Sequence, residues 1–303
     1  MSSNRENGQA TVLTVLFLAV LLGMAALVLD VGSWFREKRQ LQSTADAAAL
    51  AGAQALPGSP STATAFALQY AQSNGRPVST NDVTISSDLS SNDSIAVQAK
   101  SDAPGFFSKL FGIDSVKVGA SATARAALAG QALYVAPMVV SKDHPLLGGT
   151  GCPCFRQETT LHYDPMGAPG AFGMLNLQGG GGTPGTSDEA SWIERGFEKY
   201  LPLGIYRSDP GAKFASGGSV QDALDNRLGT VLLFPVFDTL LGTGQNAQYN
   251  IIGWVGFHLD GYDASGNTAT LSGYFTHYIA KGVQASSGTT QPDFGVRVIQ
   301  LTH

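Results

Sequence analysis

Cys152-Pro153-Cys154 is the most chemically pointed feature of the chain. Two cysteines one residue apart can bring their Cα atoms within reach of a disulfide. In an oxidising compartment the pair reads as an intramolecular bridge, with free thiols, an intermolecular bond and a metal site as the alternatives. A metal would need ligands beyond two thiolates, and His144 and His162 are the histidines nearby in sequence. The others, His258, His277 and His303, form no His-Glu-x-x-His pair. If a hairpin turns at Ser265-Gly266, His258 faces Gly273 and His277 faces Trp254, so the two do not share a site. Asp260, Asp263, Ser265 and Asn267 trace a calcium loop only loosely. Counted from Asp263, the Gly at the sixth position and the Glu at the twelfth are missing, and turn chemistry explains these residues better.

The Gly-rich run at 179–182 lacks the following Lys-Ser/Thr of a phosphate loop, and the chain has no Gly-x-Ser-x-Gly elbow. These residues therefore assign no catalytic group, no cofactor and no metal. Only 14% of residues are charged, against about 25% in an average domain. A net charge of −5 without a Lys/Arg cluster argues against nucleic acid as a partner. Abundant Gly, Ser, Thr and Ala suit a loop-rich, β-rich surface domain.

The elements that must carry these residues begin with an anchor. Residues 11–29 are uncharged and, apart from Thr11 and Thr14, without polar side chains. As a helix they span about 28 Å, close to the hydrocarbon thickness of a bilayer. Membrane lipid is the first partner this implies. A cleaved secretory signal is the alternative, but Asp30, Trp34 and a charged helix follow instead of an Ala-x-Ala site. Arg36, Lys38 and Arg39 after the span outnumber Arg5 before it, so the basic count alone places the C-terminal side in the cytoplasm. The composition of residues 57–303 points the other way, outside it.

Helix formers continue from Val31 to Leu56, and Pro57-Gly58 stops them. Span and extension make one helix of about 70 Å. Leu41, Ala45, Ala48, Gly52 and Ala55 recur at helical spacing as a stripe of mostly small side chains, suited to close packing. The stripe serves either the chain's own domain or a neighbouring helix in an assembly. Asp30 and Asp46 read as solvated positions.

Gly8-Gln9-Ala10, the apolar run, Asp30-Val31-Gly32 and the following Leu41-Gln42-Ser43-Thr44-Ala45-Asp46-Ala47-Ala48-Ala49 form a pattern. It resembles the N-terminal module of TadG-like proteins of the tight-adherence (Flp) pilus systems. The signature residues are Asp30, Gly32, Leu41, Gln42, Ala45, Asp46, Ala48 and Ala49. The resemblance implies a cell-membrane protein, single-pass, its bulk extracytoplasmic, acting without catalysis in pilus assembly or surface export. It implies other pilus-assembly membrane proteins or pilins as partners. Prepilins carry Glu five residues after a cleaved Gly; counting from Gly8 that place holds Leu13, which argues against such processing.

The expected fold class is α+β. Residues 1–56 form the anchor and extended helix. Residues 57–128 form a small pilin-like head: a helix over 61–72, alternating strands over 82–86 and 94–99, an amphipathic helix over 104–112 that places Phe106, Phe107 and Phe111 in the core, and a strand over 116–126. Residues 129–303 form a β-rich extracytoplasmic domain, with helices over 188–200, capped by Ser187, and 221–228. A hairpin covers 249–280 and further strands cover 232–237 and 294–301. Beside the pilus-assembly reading stand a membrane-anchored extracellular enzyme or ligand-binding module with its site in 129–303, and a structural adhesin.

Overall fold

The computed structural model describes residues 4–179, 182, 184–211, 214, 217–265, 268–285 and 291–302. The turn centre Gly266-Asn267, Gly180 and Gly181 of the Gly-rich run and His303 lie outside them. The elements in chain order are α1 (Asn4–Ala53), α2 (Pro60–Ser73), β1 (Val83–Ser86), β2 (Ser94–Pro104), β3 (Ser115–Ala132), β4 (Met138–Ser141), α3 (Pro145–Gly148), β5 (Glu158–Tyr163), β6 (Ala171–Met174) and α4 (Thr186–Glu194). Then follow β7 (Leu201–Pro202), β8 (Gly204–Arg207), α5 (Ser219–Asp225), β9 (Val231–Leu241), β10 (Gln248–Ser265), β11 (Thr268–Thr276), β12 (Tyr278–Ile279), β13 (Gly282–Gln284) and β14 (Val296–Thr302). The class is α+β, and the chain divides into two compact units.

The first unit runs to Arg125 and includes the chain end from Gln300. Its spine is α1. Large apolar side chains from Val12 to Leu29 are exposed, and this is a helix long and apolar enough to cross a membrane. The same helix changes character beyond Asp30. Leu41, Ala45, Ala48 and Ala49 are fully buried, against Ala63, Ala67 and Ala71 on the buried face of α2 and the inward face of β2. Small residues on both helices permit this close approach. A Cβ on Gly52 would stand 2.6 Å from Ile95 Cδ1 and 2.9 Å from the Ala63 carbonyl oxygen. The strands form an antiparallel meander, β1 to β2 from Val83↔Val97 and β2 to β3 from Ser94↔Arg125 to Pro104↔Ser115.

The second unit centres on a seven-stranded mixed sheet in the order β11-β5-β6-β4-β9-β10-β8. The central strands β4 and β6 are buried at every residue and β9 along most of its length, as expected where both faces are covered. One face packs Phe172, Phe234, Phe257 and Phe275 with Ala190 and Ile193 of α4 and Val220, Ala223 and Leu224 of α5. The opposite face packs Trp192, Phe197, Phe237, Tyr249 and Trp254. The Trp254 indole N–H donates to the Ala129 carbonyl at 3.0 Å, so its burial leaves no orphan donor.

Several expectations are corrected. Helix α1 ends at Ala53, and Ala55 sits half-buried in the following turns. Only Ser108–Phe111 is helical in the 104–112 stretch, as a single 3₁₀ turn. Helix α4 stops at Glu194, and its N-cap is Gly185, whose N–H is bonded by the Asp188 carboxylate at 3.3 Å. In the β10–β11 hairpin a bulge at Asp260 shifts the register, so His258 faces Tyr274 and Gly273 faces Leu259. The extra bulge residue is what alternation alone does not register.

Candidate functional site

The cysteine pair forms a disulfide, Cys152–Cys154, with Cα atoms 4.5 Å apart. Its loop is tied back to α3: Cys152 N–H donates to Gly149 O and Cys154 N–H to Leu146 O. His144 does structural work beside it. It caps α3 by accepting from Leu146 N–H at Nδ1, 3.1 Å, and its ring meets Phe275 edge-on. Burial pushes the His144 imidazole below its ordinary pKa, favouring the neutral form that can accept this bond. His162 lies exposed on β5. His258 bonds Asp260 at 2.9 Å and stacks on Tyr274. Among the described residues no three His, Cys, Asp or Glu side chains are placed to share a metal ion.

A cavity of about 320 Å³ in the second unit is lined by Tyr134, Trp192, Arg195, Arg227 and Tyr278 among others. Its cations are committed to the protein. Arg227 donates to the carbonyls of Glu194 and Val231 and to Thr230 Oγ1, and Arg195 to Ser191 Oγ. Among the described residues no carboxylate or imidazole lines it.

The first unit holds the more constructed arrangement. Asp30, the first charged residue after the apolar run, is 1% exposed instead of solvated. Its Oδ1 accepts from the backbone N–H of Phe106 at 3.0 Å and Phe107 at 3.2 Å, and its Oδ2 from Phe107 at 3.0 Å and Ser108 at 2.6 Å. Three consecutive amides thus face one ionised acceptor, a charge-assisted set stronger than neutral bonds. One turn further on, Trp34 donates from its indole nitrogen to Pro104 O at 3.3 Å. Gln42 donates to Asp46 at 2.8 Å and also to Ser121 O, so Asp46 is half-buried and engaged rather than free in solvent. Arg76 of the α2 end pairs with Glu37 at 2.8 Å.

The connection from β2 to β3 is thereby clamped to the helix, and its side chains point outward. Phe106, Phe107, Leu110 and Phe111 are 64%, 44%, 86% and 81% exposed, which corrects the expected place of the three phenylalanines in the core. The clamp holds the backbone of this turn against the helix, with the phenyl groups on its outer side. Local pattern reading could not find Asp30's role, since its partners lie 76 to 78 residues away.

Comparison with known proteins adds one match. Residues 8–55 match the Tad family model, described as Flp pilus-assembly TadE/G-like. The similarity is to a TadE/G-like domain and is confined to this N-terminal segment. No curated protein and no solved structure matches the chain. Within the TadE/G-like segment the signature residues have distinct physical places. Leu41, Ala45, Ala48 and Ala49 build the helix core, Gln42 and Asp46 bond each other, and Asp30 clamps the loop. Gly32 is exposed with nothing within 4 Å of a Cβ, and no packing in the structure explains it.

Proposed function

We propose that the chain is a membrane-anchored, non-enzymatic component of a Flp-type pilus assembly or surface export system, with its bulk outside the cytoplasm. The observation that carries this reading is the TadE/G-like match over residues 8–55. Two structural facts support the anchor over a cleaved signal. Helix α1 is continuous from the apolar run into its buried half, and that half is the core of its own unit. Cleavage beyond Asp30 would remove the carboxylate that holds the amides of Phe106, Phe107 and Ser108. The Cys152–Cys154 bridge supports an oxidising exterior, where disulfides persist.

The partners are other pilus-assembly membrane proteins or pilins, met through surfaces other than the stripe. Leu41, Ala45, Ala48 and Gly52 are spent on α2 and β2, so the neighbouring-helix use of that stripe is set aside. The test is affinity capture of the intact chain from membranes. Recovery of pilus-system proteins is the expected result, with loss of surface pili on deletion. Capture of none, with pili unaffected, overturns the reading. Orientation is checked separately: a Ser187→Cys probe should react with an impermeant reagent on intact cells, and reaction only after lysis would reverse the topology.

A further inference from the structure

We propose that the β2–β3 tip is a second membrane contact, in which Phe106, Phe107, Leu110 and Phe111 enter the boundary between headgroups and acyl chains beside the emerging helix. This rests on the anchor reading above. The occupant we commit to is the lipid bilayer.

The reach of the two elements sets the level of the tip. Gly52 is against Ile95, at the start of β2, and Asp30 is bonded to Phe106 just past its end. From Asp30 to Gly52 a helix rises about 33 Å. From Ile95 to Phe106 a strand advances about 36 Å. The strand therefore runs back along the helix and delivers its tip to the height of Asp30, where the uncharged run 11–29 ends. Leu27, Val28 and Leu29 are exposed just below that height, and Phe35 just above it. An open groove of about 540 Å³ between helix and tip is lined by Leu29, Ser33, Pro104, Phe106 and Phe107.

The exposure of the tip is built in. Besides the Asp30 clamp, Gly105 N–H donates to Asp114 O at 2.9 Å, Ser108 Oγ to Ile113 O at 3.1 Å and Gly112 N–H to Lys109 O at 3.0 Å. Gly112 turns the chain at φ +79°, a conformation that favours glycine. A Cβ on Gly105 would stand 2.9 Å from Ile113 O, so the turn closes only around a bare backbone. A fixed loop that shows four large apolar side chains is an interaction site, not a random surface. Aromatic residues beside a span fit the interfacial belt of a bilayer, and exposed Lys109 among them can extend its ammonium to lipid phosphates.

The test uses the full chain with its disulfide intact, so that an introduced cysteine is the one reactive thiol. Leu110→Cys, Phe111→Cys, Leu21→Cys and Ser90→Cys are each labelled with an NBD fluorophore. They are reconstituted into phosphatidylcholine–phosphatidylglycerol vesicles carrying nitroxide-labelled acyl chains. Quenching at positions 110 and 111 should be several-fold stronger than at position 90, with position 21 quenched as well. Quenching at 21 with positions 110 and 111 no stronger than 90 overturns the proposal and leaves the anchor standing. No quenching at 21 overturns the anchor and the proposal together. Blue-shifted emission at 110 and 111 without lipid quenching would assign the tip to a protein partner and also overturn it.

Discussion

Strand β2 has a loop at each end, and both are organised by an aspartate, but the two aspartates come from different places. Before Ser94, Asp93 folds back on its own loop, accepting the backbone N–H groups of Asp88, Leu89 and Ser90 at 2.7 to 2.8 Å. After Pro104, the N–H groups of Phe106, Phe107 and Ser108 go to Asp30 on the helix. The chemistry is the same: consecutive amides converge on one carboxylate, as in anion-binding nests. The first loop is polar and carries its own acceptor, and Arg125 of the neighbouring β3 pairs with Asp88 at 2.6 Å. The second is apolar and clamped from a different element. A loop that carries its own acceptor can be solvated anywhere. One that borrows its acceptor from the helix is fixed at one height along that helix, which is where an apolar tip beside a membrane span has to be.

The largest expected effect comes from breaking the packing that aligns the strand with the helix. Gly52→Leu drives a side chain into Ile95 and the Ala63 carbonyl. Overpacking costs about 1–3 kcal/mol or more, above the gain of about 1 kcal/mol from replacing a helical glycine. Thermal unfolding in detergent should fall by several degrees. An unchanged melting temperature with lost partner capture would return the stripe to an assembly face.

Removing the self-contained acceptor comes next. Asp93→Ala leaves three amides without their charged partner, costing about 1–3 kcal/mol. Acid should reproduce part of this loss. Burial raises the Asp93 carboxyl, but the backbone N–H groups of Asp88, Ser90 and Leu89 outweigh it and hold its pKa below the ordinary value. A lowered folded-state pKa means the contribution is present above about pH 4 and fades as the pH drops below that. In Asp93→Ala the slope of stability against pH in this range should be shallower than in the parent chain. Equal slopes would remove Asp93 from the acid response.

Asp30→Asn is the smallest change by global stability and the sharpest test of the comparison. It keeps one acceptor oxygen and loses the charge. Hydrogen exchange at Phe106, Phe107 and Ser108 should speed up by about an order of magnitude, with the amides of 88–90 unmoved. Equal acceleration in both loops would mean that they share one cooperative unit and that the clamp is not local.

What was legible in the amino-acid sequence is what depends on near neighbours. Residues 11–29 announce a bilayer-length helix by being uncharged, and the run through Ala49 continues it by propensity. Alternation located β1, β2 and the core of β3, because a half-buried strand repeats every two residues. The Asp30-Val31-Gly32 and Leu41-to-Ala53 runs resemble the N-terminal module of TadG-like proteins by residue type at fixed spacing. The tertiary structure alone decided what those residues face. Phe106-Phe107-Ser108-Lys109-Leu110-Phe111 has the spacing of an amphipathic helix, and such a pattern states that an apolar face exists without stating what covers it. Here Asp30 takes the loop's amides, so its backbone is held as a 3₁₀ turn and its phenyl groups are left outside. The bulge at Asp260 escaped for the same reason: one inserted residue costs the local pattern nothing and re-aims every side chain before it.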